Sequence, residues 1–193
     1  ITSDNTLFYN GTTEANALVE VFIDGTSIGA TTANASGDWS FDHTGTTLND
    51  GDYEITAQAT DVAGNTSSVS SALSITVDTV SPSTPVVASI STDTGTSDGI
   101  TSDNTLEFSG TAEANASVEV FIDGTSIGTT TADGSGDWSL DHTDTVLSDD
   151  DYQITAKATD IAGNAGPISS AFNVTVDTVV PSIPVVASII TDT

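Results

Sequence analysis

An all-β fold, arranged as tandem sandwich domains placed end to end, is predicted by three features of this 193-residue sequence. The chain repeats itself: setting Ile1 against Ile100 brings ITSDNTL, VEVFIDGTSIG and SGDWS into register without a gap. Apolar residues alternate with polar ones in short runs, the pattern of antiparallel strands with one wet face. Asp-Gly and Asp-Gly-Ser-Gly turn signals separate the runs, and no stretch carries helical periodicity. An offset of 99 residues is too long for a solenoid unit and suits a whole sandwich domain.

The second copy gives the elements in order. Strands are expected over 85–92, 105–111, 117–123, 126–132, 137–142, 152–160 and 169–177. In the third, Val118, Val120 and Ile122 face one way while Glu119 and Asp123 face the other. In the sixth, Tyr152, Ile154, Ala156 and Ala158 alternate with Gln153, Thr155, Lys157 and Thr159. In the seventh, Phe172, Val174 and Val176 alternate with Asn173, Thr175 and Asp177. The Asp123-Gly124 pair suits a tight primed hairpin turn. Seven short antiparallel strands make an immunoglobulin-type sandwich. Its expected core is Leu106, Phe108, Val118, Val120, Ile122, Trp138, Leu140, Leu147, Tyr152, Ile154, Phe172, Val174 and Val176. Trp39 and Trp138 read as core filling. The domain boundaries follow: 1–79 is a domain without its first strand, 80–178 a complete one, and 179–193 a linker with the first strand of a following repeat. The odd phase reads as a window on a longer array, or as an orphan strand that completes another molecule by strand addition.

Composition narrows the function. There are 28 acids and one base, Lys157, for a net charge of −27. Phosphate binding needs Lys and Arg, so a nucleic-acid groove is excluded, and docking on anionic lipid is disfavoured. Hydrophobic content is 36%, low for a globular chain, but its β-branched, alternating arrangement points to a folded β protein rather than disorder. Cys is absent, which excludes disulfides and thiol catalysis. Met, a signal peptide and a membrane-inserting run are also absent, so the sequence is expected to lie within a larger gene product.

The run GTAEANASVEVFIDGTSIGTTTADGSGDWS, with ATDIAGN at 158–164 and VDTVVPSIP at 176–184, resembles the bacterial Ig-like extender repeats of giant RTX-type and biofilm surface adhesins. The resemblance covers the whole chain, twice. It implies a long, calcium-stiffened stalk that holds a binding tip away from the cell, extracellular, at the cell surface or secreted. The implied partners are neighbouring repeats of the same chain, with parallel copies of itself left open.

The placement of the acids points the same way. Tracing strands up and down the sandwich brings Asp78, from the preceding domain, beside Glu113, Asp133, Asp160 and Asn164. With almost no Lys or Arg to pair them, converging carboxylates repel unless a cation intervenes. Ca²⁺ takes oxygens in irregular geometry, whereas Zn²⁺ wants His or Cys. A Ca²⁺ site is therefore expected from Asp78, Glu113, Asp160 and Asn164, with Asp177 serving the next joint and Glu14, Asp61 and Asn65 as the matching first-copy positions. A second acidic site is expected in the loop holding Asp93, Asp98 and Asp103, with Asp4 matching Asp103. The competing reading is that these Asp residues only close turns.

Catalysis is not expected. His43 and His142 are equivalent copies of one DHT stretch, and a duplicated active site is a poorer account than a duplicated spacer. The alternatives kept open are a carbohydrate- or surface-binding module and a filament subunit assembled by donation of the last strand. Agreement of the two copies at their loops favours the spacer.

Overall fold

The computed structural model describes residues 1–187. Every regular element in them is a strand, as the period-two pattern requires. Two compact units result: Ile1–Pro82 together with Thr159–Gly166, and Ser83–Ala158 together with the chain from Pro167.

In the first unit, β1 (Phe8–Thr12) pairs with β4 (Asp38–Asp42) as a two-stranded sheet. Facing it in the sequence pattern are β2 (Leu18–Ile23), β3 (Thr26–Thr32), β5 (Gly51–Thr60) and β6 (Leu73–Val77), ordered β3-β2-β5-β6 in one sheet. Tyr9, Val19, Val21, Ile23, Leu48, Ile55 and Val77 form its buried cluster.

In the second unit, β7 (Val86–Ile90), β9 (Glu107–Thr111) and β12 (Asp137–Asp141) form a three-stranded sheet ordered β12-β9-β7, β8 being the two-residue strand Ile100–Thr101. The other sheet runs β11-β10-β13-β15-β8, with β10 at Ser117–Ile122, β11 at Thr125–Thr131, β13 at Asp150–Thr159 and β15 at Phe172–Val176. A further strand, β14 (Ala165–Ile168), lies against β13. β8 joins β15 in parallel, while the other registers resolved are antiparallel.

Alternation along β10 buries Val118, Val120 and Ile122. Leu106, Phe108 and Ile154 are fully buried, each side chain contributing about 1.5–3 kcal/mol relative to leaving it in water. Ten of the thirteen expected core residues belong to the buried cluster, and Leu140, Tyr152 and Phe172 pack against it partly covered. The hairpins close as the dipeptides require: Asp123 and Gly124 have φ of 49° and 76°, and Ile122 pairs with Thr125. Positive φ at both central residues is the signature of a type I′ turn.

Two expectations need correction. The strand expected over 169–177 begins only at Phe172. Ser169 is buried, its Oγ accepts from Ala156 N at 2.9 Å and donates to the Ser170 carbonyl at 2.8 Å. A hydroxyl that serves the backbone in this way replaces the ladder locally. β8 and β14 are strands that alternation could not reveal, since two- and four-residue strands are too short to show it. For the first strand of a following repeat, expected within 179–193, residues 181–187 carry no strand and 188–193 lie outside the described residues.

Candidate functional site

The sequence-chosen acids mostly sit at loops and strand ends, and their carboxylates are occupied by the backbone. Asp160 follows β13 and is buried. Its Oδ1 accepts from Gly163 N and Asn164 N, both at 2.8 Å, and its Oδ2 accepts from Asn164 Nδ2 at 2.8 Å. Asp160 N in turn donates to the Asn164 carbonyl at 3.0 Å. One aspartate thus folds the DIAGN loop around itself. Burial pushes the Asp160 carboxyl up, but hydrogen bonds from Asn164, Gly163 and Ala162 outweigh it and hold the group below its ordinary value.

The same construction recurs at Asp61. Its Oδ1 accepts from Ala63 N at 2.9 Å and Asn65 N at 2.8 Å, and its Oδ2 from Asn65 Nδ2 at 2.7 Å. The Asn65 bonds hold this carboxyl low as well.

Within the first compact unit, Asn164 does one thing more. Its Nδ2 also donates to the Asp78 carbonyl at 2.8 Å, and Ser3 N donates to the Ala162 carbonyl at 3.1 Å. Asp78, Asp160 and Asn164 are therefore linked by hydrogen bonds at one corner. The Asp78 carboxylate accepts from Val80 N at 3.1 Å, and the equivalent Asp177 from Val179 N at 3.0 Å.

The remaining expected ligands are placed in turns. Asp4 accepts from Thr6 N and Oγ1, both at 2.8 Å, and Asp103 from Thr105 N and Oγ1, both at 2.9 Å. Asp98 takes Thr96 Oγ1 at 2.7 Å and Ile100 N at 3.1 Å. Asp93 Oδ2 accepts from Gly99 N at 3.0 Å, while its Oδ1 is buried with no partner. Asp133 caps its turn by accepting from Ser135 N and Asp137 N. Glu14 and Glu113 are exposed, and their carbonyls accept from Ala17 N and Ala116 N. Among the described residues, no group of three or more His, Cys, Asp or Glu gathers closely enough to hold a metal ion by side chains alone.

Sequence reasoning passed over Asp50 and Asp149. Each receives N and Oγ1 of a threonine just past the last strand: Thr79 at 2.9 and 2.8 Å, Thr178 at 3.1 and 2.8 Å. The signal was present as an Asp and a Thr at the same separation in both copies. It fixes where the chain leaves each last strand, and hence where Asp78 and Asp177 stand.

Comparison with known proteins places these units among modules of one kind. A model described as a bacterial Ig-like domain matches residues 1–79 and again 81–178. Exoglucanase B of Cellulomonas fimi is 34% identical over 166 residues, covering 82% of this chain and 14% of the relative; the chain thus spans about a seventh of that protein's length. Solved structures of similar fold include the fibronectin(III)-like modules of Clostridium thermocellum CbhA (16% identity, 88% of this chain and 85% of that one, TM-score 0.48). A second is described as a Ca²⁺-stabilized adhesin that helps an Antarctic bacterium reach out and bind ice (26% identity, 90% of this chain and 44% of that one, TM-score 0.42).

Proposed function

The chain belongs to the bacterial Ig-like domain family, and from that premise we propose that it is an extender: a stretch of stalk in a surface or secreted bacterial adhesin, whose domains space a binding function away from the cell. The observation that carries this is the sameness of the two copies at their loops. Asp61 with Asn65 and Asp160 with Asn164 make the same closed turn, and Asp50 with Thr79 and Asp149 with Thr178 the same clamp. A recognition module diversifies its loops, because specificity lives there. A spacer repeats them.

Calcium at the joint deepens the proposal. The corner of Asp78, Asp160 and Asn164 holds carboxylate and carbonyl oxygens bridged by Asn164 Nδ2; an amide turned to present its oxygen instead would complete an oxygen set that suits a hard cation and not Zn²⁺. Side-chain acids alone are too few there, so Ca²⁺ would draw on the two carboxylates, the Asn164 amide oxygen and backbone carbonyls. Bound there, the ion would supply the positive charge that a chain with one Lys and 28 acids lacks.

Titration calorimetry of the whole chain tests the ion directly. Ca²⁺ should bind in the range of extracellular modules, on the order of 10⁻⁴–10⁻³ M, with Mg²⁺ weaker, and Asp160→Ala should abolish the heat. Equal heats for wild type and variant would remove calcium from this corner.

The Cellulomonas relative favours a second reading, an accessory module beside the catalytic domain of a secreted glucan-degrading enzyme. Retention of the chain on an insoluble glucan would support that reading over the adhesin stalk.

A further inference from the structure

We infer that the outer edges of β3 and β11 are pairing surfaces between copies of this chain, each accepting the same edge of a second copy, antiparallel about a two-fold axis. The inference goes beyond the spacer reading and needs no calcium. It starts from a contrast in charge between strands that end different sheets of the same unit.

β3 and β11 each lie at the end of their sheet, with a paired strand on one side alone. β4 and β12 also end their sheets, but they begin and finish on exposed aspartates, Asp38 and Asp42, Asp137 and Asp141. Charge of that kind keeps an edge from pairing. β3 (TSIGATT) and β11 (TSIGTTT) hold none of the 28 acids. A chain of −27 repels its own copies, so a charge-free edge is where two of them meet at low electrostatic cost. Such an edge carries nothing to select a basic partner. Its complement is another neutral edge, and the same chain supplies one.

The ladder fixes which residues are free to pair. Ala132 N donates to the Ala116 carbonyl at 2.9 Å and Ala33 N to the Ala17 carbonyl at 3.0 Å, continuing the registers of β11 with β10 and of β3 with β2. Bonding alternates along an antiparallel strand, so Thr129 and Thr131 turn N–H and C=O away from β10, and Ala30 and Thr32 away from β2. All four residues are exposed. The first half of each strand is blunted. The register skips Ile127 and Ile28, and a Cβ on Gly128 or Gly29 would meet Leu140 or Phe41. Pairing is therefore confined to Thr129–Thr131 and to Ala30–Thr32.

Both stretches are self-complementary. With the two-fold axis at Thr130, Thr129 of one copy lies opposite Thr131 of the other, and each such pair exchanges two backbone hydrogen bonds. Threonine side chains then meet across the junction, a favourable cross-strand pair. With the axis at Thr31, Ala30 lies opposite Thr32 in the same way. The contact is isologous. One contact this short is weak, but each chain carries two such edges, so affinity grows with the number engaged. Added salt screens the repulsion between copies and should strengthen the association.

The test is light scattering of the full 193-residue chain in chelator, across a wide concentration range, in low salt and in about 1 M NaCl, where the Debye length falls to about 3 Å. Thr32→Asp with Thr131→Asp charges the free stretch of both edges. Ser40→Asp with Ser139→Asp adds the same charge at exposed positions of β4 and β12. Thr32→Pro with Thr131→Pro removes two outward N–H donors and leaves the internal ladder its bonds. The wild-type mass should rise with concentration in high salt to about twice that of one chain or more. The β4 and β12 variant should follow it, and both edge variants should stay at one chain. Amide exchange of the wild type, which needs no variant, should slow at least about tenfold at Thr129 and Thr131 over the same range. A wild-type mass that stays at one chain overturns the inference. So does equal loss of association in the two aspartate variants, association that survives in the edge variants, or unchanged exchange at Thr129 and Thr131 in the associated chain.

Discussion

At the scale of the residue, most of the expected ligands are hydrogen-bond acceptors first. Asp123 shows the economy: it takes the left-handed turn conformation, with φ of 49°, and its Oδ1 accepts from Gln153 N at 2.9 Å. Asp123→Ala should cost about 1–2 kcal/mol in a urea melt, from the lost bond and the strained φ together, while Asp123→Asn should cost much less. Asp160 carries a pH signature. Its folded pKa is lowered below 3.8, so its contribution is fully present above that value and lost as pH falls through the lower folded one. The stability gap between wild type and Asp160→Asn should therefore be constant from neutral to mildly acidic pH and shrink below about pH 4. A gap that persists undiminished into strong acid would mean that the Asp160 charge is irrelevant to the loop. The pairing of Asp160 with Asn164 was legible in the DIAGN motif, because an Asp four residues before an Asn is a local loop closure. The burial of one Asp93 oxygen was not, because it depends on how a long loop folds back.

At the scale of the element, strands long enough to alternate were readable and short ones were not. Val118, Val120 and Ile122 announce β10, whereas Ile100–Thr101 shows its nature only by lying parallel to β15. The seventh strand was drawn too long because Ser169 is a strand-compatible residue whose hydroxyl takes over the backbone's role. The loop Thr159–Gly166 is the element on which the functional reading turns, since it packs within the first compact unit through Asn164 and Ala162. Asn164→Ala removes the bonds to Asp160 Oδ2 and to the Asp78 carbonyl. It should speed hydrogen exchange at Gly163 and Asn164 by at least tenfold, about 1.4 kcal/mol of local opening. Asn65→Ala, which removes only the intraloop bond to Asp61, should have a smaller effect. Equal effects would show that the Asp78 contact contributes nothing.

At the scale of the whole molecule, the proposal to be tested is a stalk of like domains that calcium stiffens. The duplication, the sandwich class and the core were legible because a repeat doubles every signal. The hydrogen bond from Asn164 Nδ2 to the Asp78 carbonyl was not, because it draws on a backbone carbonyl, which no residue type announces. The measurement that tests the claim most directly is small-angle X-ray scattering of the full chain, titrated from excess chelator into calcium or magnesium, with Asp78→Ala and Asp160→Ala in parallel. The account predicts that the maximum dimension and the stiffness of the wild type rise with calcium and not with magnesium, while both variants stay as they are in chelator. Scattering that is the same with and without calcium would contradict it, and would leave the acids as turn-formers and solubilising charge on a stalk whose stiffness owes nothing to calcium.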